Sequence, residues 1–107
     1  MNKAVLQTKD NYVVIKGDLT FDSVPDLWQD ARALLTSTVL ASQVVDLAEV
    51  GRADSAGVAL LVAWLGLVRK RGHSVQFINP PEQMRVLVQI TGLAALLSLD
   101  AVGTNPL

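Results

Sequence analysis

Apolar and polar positions first alternate over short runs and then settle into a longer, helical spacing. Ala4-Val5-Leu6 and Tyr12-Val13-Val14-Ile15 predict two short strands. Asp10-Asn11 between them suits a tight turn, and Gly17-Asp18 is expected to end the second strand. From Ser23 the period changes. Val24, Leu27, Trp28, Ala31, Leu34 and Leu35 fall on one face of a helix. Ser23-Val24-Pro25-Asp26 predicts its start, with Ser23 as cap, Pro25 in the first turn and Asp26 answering the cap.

Gln43 to Leu47 predicts a buried strand. A second helix is expected from about Ser55 to Arg71. Arg69-Lys70-Arg71 then complements the carbonyl end of its dipole, and Gly72 stops it. Ser74 to Ile78 predicts the next strand. Asn79-Pro80-Pro81 opens a third helix that runs to about Thr91 and ends at Gly92, and Leu96 to Leu99 predicts a short last strand. Strands separated by helices pair in parallel through right-handed crossovers. The expected fold is therefore α/β: a mixed, mainly parallel sheet with an N-terminal antiparallel hairpin and helices largely on one side. The 107 residues fit one domain, 1–107, with a core of about 4–99 and a fraying tail at 100–107.

Composition narrows the function. The net charge is −1, which counts against nucleic-acid binding, since that needs a basic face. The absence of Cys removes disulfides, Cys-based metal sites and a Cys nucleophile, in keeping with a cytosolic home. Met1 to Asp10 has no apolar core and does not read as a signal peptide. The longest apolar run, Ala56 to Val68, falls short of the roughly 20 residues of a membrane span. Half the residues are apolar and only 18% are charged, a bias expected of a small domain that hides part of its surface in a partner.

Chemistry-bearing residues concentrate in Arg52-Ala53-Asp54-Ser55-Ala56-Gly57, between the strand Val44-Val45-Asp46-Leu47 and the apolar run from Val58. A hydroxyl and a carboxylate thus stand at a helix N-terminus beside apolar surface. Ser55 or Asp54 as a cap contributes about 1 kcal/mol and is compatible with docking. A phosphate on Ser55 would meet free N–H groups there, so Ser55 is also a possible phosphorylation site. The run to Val68 shows no polar face before Arg69. Such a helix is either buried on several sides or presents its outer face to another protein; layered folds leave one helix face to solvent, which favours the interface. The candidate partner-binding residues are Arg52, Asp54 and Ser55 as a polar rim, with Ala56, and Val58, Ala59 and Val62 for apolar contact.

Other constellations carry less. Arg69-Lys70-Arg71 with Arg85 reads as solvated charge rather than a lipid-binding cluster. A Ser55/His73/Asp54 triad lacks the Gly-x-Ser-x-Gly elbow, and the helix would separate Ser55 from His73 by roughly 25 Å. No metal-ligand spacing and no phosphate-binding Gly-Lys loop is present, so no cofactor is expected and nucleotide energy must come from a partner.

Taken together, Ile15-Lys16-Gly17-Asp18-Leu19, Ser23-Val24-Pro25-Asp26-Leu27-Trp28, Val44-Val45-Asp46-Leu47, Asp54-Ser55-Ala56-Gly57-Val58-Ala59-Leu60-Leu61 and Thr91-Gly92-Leu93 resemble STAS domains, the family of sulfate transporters and anti-sigma factor antagonists. Trp28 and the run Ala59 to Trp64 resemble the stand-alone branch that serves phospholipid-transporting ABC complexes of Gram-negative bacteria. That resemblance implies a non-catalytic cytoplasmic subunit, held peripherally at the inner membrane. Its partner would be the ABC transporter ATPase subunit, met at Ser55, and through it the permease. Self-association is a further expectation from the apolar surface. The alternative is an anti-sigma factor antagonist that binds a serine kinase. Those proteins resemble Asp-Ser-Ser-Gly here, with the second Ser phosphorylated, whereas this chain has Ala56.

Overall fold

The computed structural model describes residues 4–37 and 42–97. Eight elements follow in the order β1 (Val5–Lys9), β2 (Tyr12–Leu19), α1 (Val24–Ser37), β3 (Ser42–Ala53), α2 (Ser55–Lys70), β4 (Ser74–Ile78), α3 (Glu82–Ile90) and α4 (Ala94–Leu97). The four strands form one sheet in the order β1-β2-β3-β4. β1 and β2 pair antiparallel, while β2–β3 and β3–β4 are parallel. The mixed sheet expected from the alternation of strands and helices is thus present.

Strand residues of one parity are buried and those of the other are not. Val13, Ile15, Val45, Leu47 and Phe77 face a core completed by Leu27 and Ala31 of α1, Leu61 and Trp64 of α2, and Met84 and Val88 of α3. Tyr12, Val14, Lys16, Val44 and Asp46 occupy the opposite, helix-free face. The helices therefore cover one side, as expected.

β3 runs further than the predicted Gln43 to Leu47. Beyond Asp46, where its pairing with β4 ends at Ile78, it continues against β2 alone as far as Leu19↔Ala53. Two register shifts interrupt that stretch, near Gly17 with its φ of 103°. The bulges break the two-residue alternation, so the strand could not be read from period alone.

Two further expectations change. Leu96 to Leu99 was expected to be a strand; Leu96 and Leu97 instead belong to α4, and Ser98, Leu99 and the expected tail lie outside the described residues. Ala94-Ala95-Leu96-Leu97 contains only strong helix formers and no β-branched residue. Buried Leu97 donates its N–H to the Leu93 carbonyl at 3.0 Å. Ser23 was expected to cap α1 towards Asp26. Its hydroxyl instead turns back into the β2–α1 loop, accepting from the Thr20 N–H at 3.0 Å and donating to the Asp18 carbonyl.

α2 is the central helix. Ala56, Gly57, Val58, Leu60, Leu61, Trp64, Leu65 and Val68 are all buried within the chain. Burial on several sides accounts for most of its apolar circumference. Gly72, at φ 74°, ends it as predicted, its N–H reaching the Arg69 carbonyl at 2.9 Å. Trp64 is fully buried, meets Phe77 edge-on at 6.4 Å, and donates its indole N–H to Gln43 Oε1 at 3.2 Å. Gln43, 4% exposed, is thereby a buried polar residue with a defined partner.

On the open face, a polar tie crosses three strands. Tyr12 donates its hydroxyl to Asp46 Oδ2, while Asp46 Oδ1 accepts from the Ala48 N–H at 2.9 Å and the Asn79 side-chain amide at 3.2 Å. Burial pushes the Asp46 carboxyl up, but the hydrogen bonds from Tyr12, Ala48 and Asn79 outweigh it and hold the group below its ordinary value.

Two outcomes follow from this packing. Gln43→Leu leaves the Trp64 N–H without an acceptor and is expected to cost about 1–3 kcal/mol. Thermal unfolding checks it: a midpoint within a degree of the parent would show that the pair contributes nothing. Asp46 binds a proton less readily folded than unfolded. Its contribution is therefore fully present above the ordinary value of 3.8 and is lost as pH falls through the lower folded value. Urea unfolding of Asp46→Asn across that acidic range should show a shallower loss of stability than the parent, and an identical pH profile would refute the assignment.

Candidate functional site

The junction between β3 and α2 is held from every side by hydrogen bonds. Asp18, 9% exposed at the end of β2, accepts the Arg52 N–H on Oδ1 at 2.8 Å. A Cβ on Gly51 would stand 2.6 Å from that oxygen, so any larger residue would push the Asp18 carboxylate off its bond to Arg52. The Ala53 N–H is taken by Gln83 Oε1 of α3 at 2.9 Å, and the Asp54 N–H by the Leu19 carbonyl at 3.1 Å. Each backbone donor emerging from β3 thus has a partner before the helix begins.

Asp54 is the N-cap of α2. Its backbone is extended and its Oδ1 accepts from the Ala56 N–H at 2.8 Å. Its other oxygen, Oδ2, accepts from the Phe21 N–H at 3.2 Å. One carboxylate therefore ties the first turn of α2 to the β2–α1 loop. With the cap supplied by Asp54, Ser55 is left exposed at the first helical position. Gly57 lets the first turn press on β2, since a Cβ there would lie 3.0 Å from both Cβ and O of Leu19.

From Ser55 an apolar groove of about 430 Å³ runs between α2 and the C-terminal end of α3. Ser55, Ala59 and Ala63 line its α2 side together with Val58 and Val62; Leu87, Thr91 and Leu93 line the other. The exposed strip of α2 is made of small residues: Ser55, Ala59, Ala63 and Gly66.

The predicted site residues divide accordingly. Arg52, Ser55 and Ala59 are exposed, Asp54 and Val62 half-buried. Ala56 and Val58 turn inward, Val58 being 4% exposed, so its contribution to any contact is limited to the groove. Reading the sequence missed Ala63, Leu87 and Phe21. Ala63 was accessible from the spacing 55, 59, 63; Leu87 and Phe21 reach the site only through tertiary packing. Thr91 and Leu93 belong to the Thr91-Gly92-Leu93 motif, to which the sequence assigns no role.

Other candidates stay apart. His73 follows α2, whose 16 residues put Ser55 at the other end, roughly 24 Å away. Arg85 lines a separate polar depression with Glu82 and Gln89. Among the described residues no three His, Cys, Asp or Glu side chains cluster to hold a metal ion. No helix among them is long and apolar enough to cross a membrane.

Known proteins resemble this chain in sequence and in fold. The Haemophilus influenzae intermembrane phospholipid transport system binding protein MlaB is 29% identical over 80 residues, covering 73% of this chain and 76% of the relative. A chain in the solved Acinetobacter MlaFEDB complex in an ATP-bound conformation superposes with a TM-score of 0.75 at 25% identity, over 89% of this chain and 99% of that one. An anti-sigma factor antagonist from Mycobacterium paratuberculosis reaches the same TM-score at 20% identity, over 96% of this chain and 88% of its own, a likeness of fold alone. The family described as "Mlab, STAS domain" matches residues 4–98, and the chain belongs to that family of STAS domains.

Proposed function

We propose that this chain is the STAS subunit of an ABC-type intermembrane phospholipid transporter and that it docks on the transporter's ATPase through Ser55 and the outer strip of α2. The observation that carries the reading is an exposed Ser55, freed of the capping role by Asp54, in the lining of an apolar groove whose α2 side includes Ala59 and Ala63. Ala59 and Ala63 let a partner backbone or bulky side chain come close, and Arg52 and Ser55, exposed on either side of the half-buried Asp54, supply directional hydrogen bonding. Membership of the MlaB family, the phospholipid-transport names of its relatives and the likeness to a chain of the MlaFEDB complex support the choice of partner.

In this reading the subunit acts by position. It would sit on the cytoplasmic side of the inner membrane, held there by the ATPase and through it by the permease. It would stabilise or regulate nucleotide turnover performed elsewhere. The groove offers no nucleophile–base pair, because Ser55 and His73 lie at opposite ends of α2. Partner switching in the manner of an anti-sigma factor antagonist is less well served: Ala56 has no hydroxyl and is buried in the first turn.

A charge at Ser55 tests the reading. Glutamate at the first turn suits the helix dipole and leaves the fold intact, yet it brings an unpaired carboxylate into an apolar contact. Affinity capture of the tagged chain from gently solubilised membranes should recover an ABC ATPase and its permease. Ser55→Glu should lower that recovery at least tenfold with no loss of thermal stability. Undiminished recovery with the glutamate would move the contact away from Ser55. Recovery of a soluble serine kinase without transporter subunits would overturn the proposal in favour of partner switching.

A further inference from the structure

The geometry points to Phe21 as a second anchor for the same ATPase subunit, held ready beside Ser55 by the carboxylate of Asp54. The inference rests on the docking reading above and adds a residue outside α2 and its groove. Phe21 is 70% exposed, so most of its ring is free to meet a partner. The backbone beneath it is fixed. Its N–H is bonded to Asp54 Oδ2 at 3.2 Å, the Thr20 carbonyl takes the N–H groups of Ser23 and Val24 at 3.1 and 2.9 Å, and the Thr20 N–H is bonded to Ser23 Oγ at 3.0 Å. A ring displayed on such a turn loses little backbone freedom when a partner closes over it, which is the condition for an efficient binding anchor.

Position strengthens the case. Asp54 uses one oxygen for Phe21 and the other for the first turn of α2, so the ring's backbone is tied one residue from Ser55. The Phe21 backbone is therefore tied at the Ser55 end of the groove. A stable interface buries roughly 1,200–2,000 Å² in total, more than a groove along one helix provides, so the partner must reach beyond the α2 strip. Phe21 is the exposed large apolar side chain on the loop that Asp54 ties to the head of α2. The matching feature on the ATPase is an apolar recess, with Asp54 acting as the positioning residue.

The test compares the full-length chain with Phe21→Ala, Asp54→Asn, the double variant and Ser55→Glu, measuring affinity for the purified ATPase and thermal unfolding of each. Phe21→Ala is expected to weaken binding at least tenfold, chiefly through faster dissociation, with an unchanged melting temperature. Asn retains a cap oxygen for α2 but cannot accept both bonds through carboxylate oxygens, so Asp54→Asn should weaken binding less. If Asp54 acts through the ring, the double variant should bind no more weakly than Phe21→Ala alone. Phe21→Ala binding within twofold of the parent, while Ser55→Glu loses the ATPase, would overturn the inference and leave the docking reading standing. A parent chain that does not bind the ATPase would remove both. A change in self-association or in partition onto anionic vesicles with Phe21→Ala, at unchanged ATPase affinity, would assign the ring to a second copy or to lipid and would likewise overturn it.

Discussion

A helix with no charged residue between Ser55 and Val68 can exist in water only where other elements cover it, and the rest of the domain is arranged to do so. The sheet lies beneath α2, with α1 and α3 against it. Two-layer α/β packing ordinarily leaves each helix a broad solvent-facing side. Here that side shrinks to a narrow strip of Ser, Ala, Ala and Gly, whose small side chains expose little apolar area. The constraint that builds the core thereby also shapes the surface, because a helix hemmed in on several sides can show only what its neighbours leave uncovered.

The carboxyl ends of β2 and β3 carry the polar side of the design. In open α/β sheets this is the end where loops converge and where function is commonly sited. Two aspartates organise it. Asp18 receives the backbone of β3 and Asp54 receives both the helix and the neighbouring loop. Both are committed to backbone donors, which leaves Ser55 and Arg52 as the side chains turned to the outside. The junction is stiff because its polar groups are spent internally.

Much of this was legible in the sequence. The 3.6-residue spacing of α1, the stop at Gly72 and the strand–helix alternation each follow from local chemistry, and the sheet realises them. The site was legible to the extent that it is local: Asp54-Ser55 at the head of an apolar helix needs no tertiary information. What escaped was set by contacts distant in sequence. The length of β3 depends on bulges against β2, and the inward turn of Val58 on which side of α2 the sheet happens to lie. Phe21 drew no notice because a lone aromatic in a loop has no periodic neighbours, and its nearness to Ser55 comes only from a hydrogen bond that spans 33 residues. Ser23 misled because a hydroxyl before an apolar-periodic run is a good cap signal, while here the Asp18 carbonyl and Thr20 N–H claim it first.

Two glycines of α2 meet opposite surroundings. At Gly57 the helix backbone touches Leu19 closely enough that a single added carbon would collide. At Gly66 the same carbon would meet nothing within 4 Å. The first faces inward onto β2 and the second outward from the exposed strip, so a partner can approach the helix backbone directly at Gly66. A side chain added at Gly57 would be felt by the domain itself, whereas one added at Gly66 would be felt only by whatever rests on the helix, so the two glycines separate the demands of folding from those of assembly.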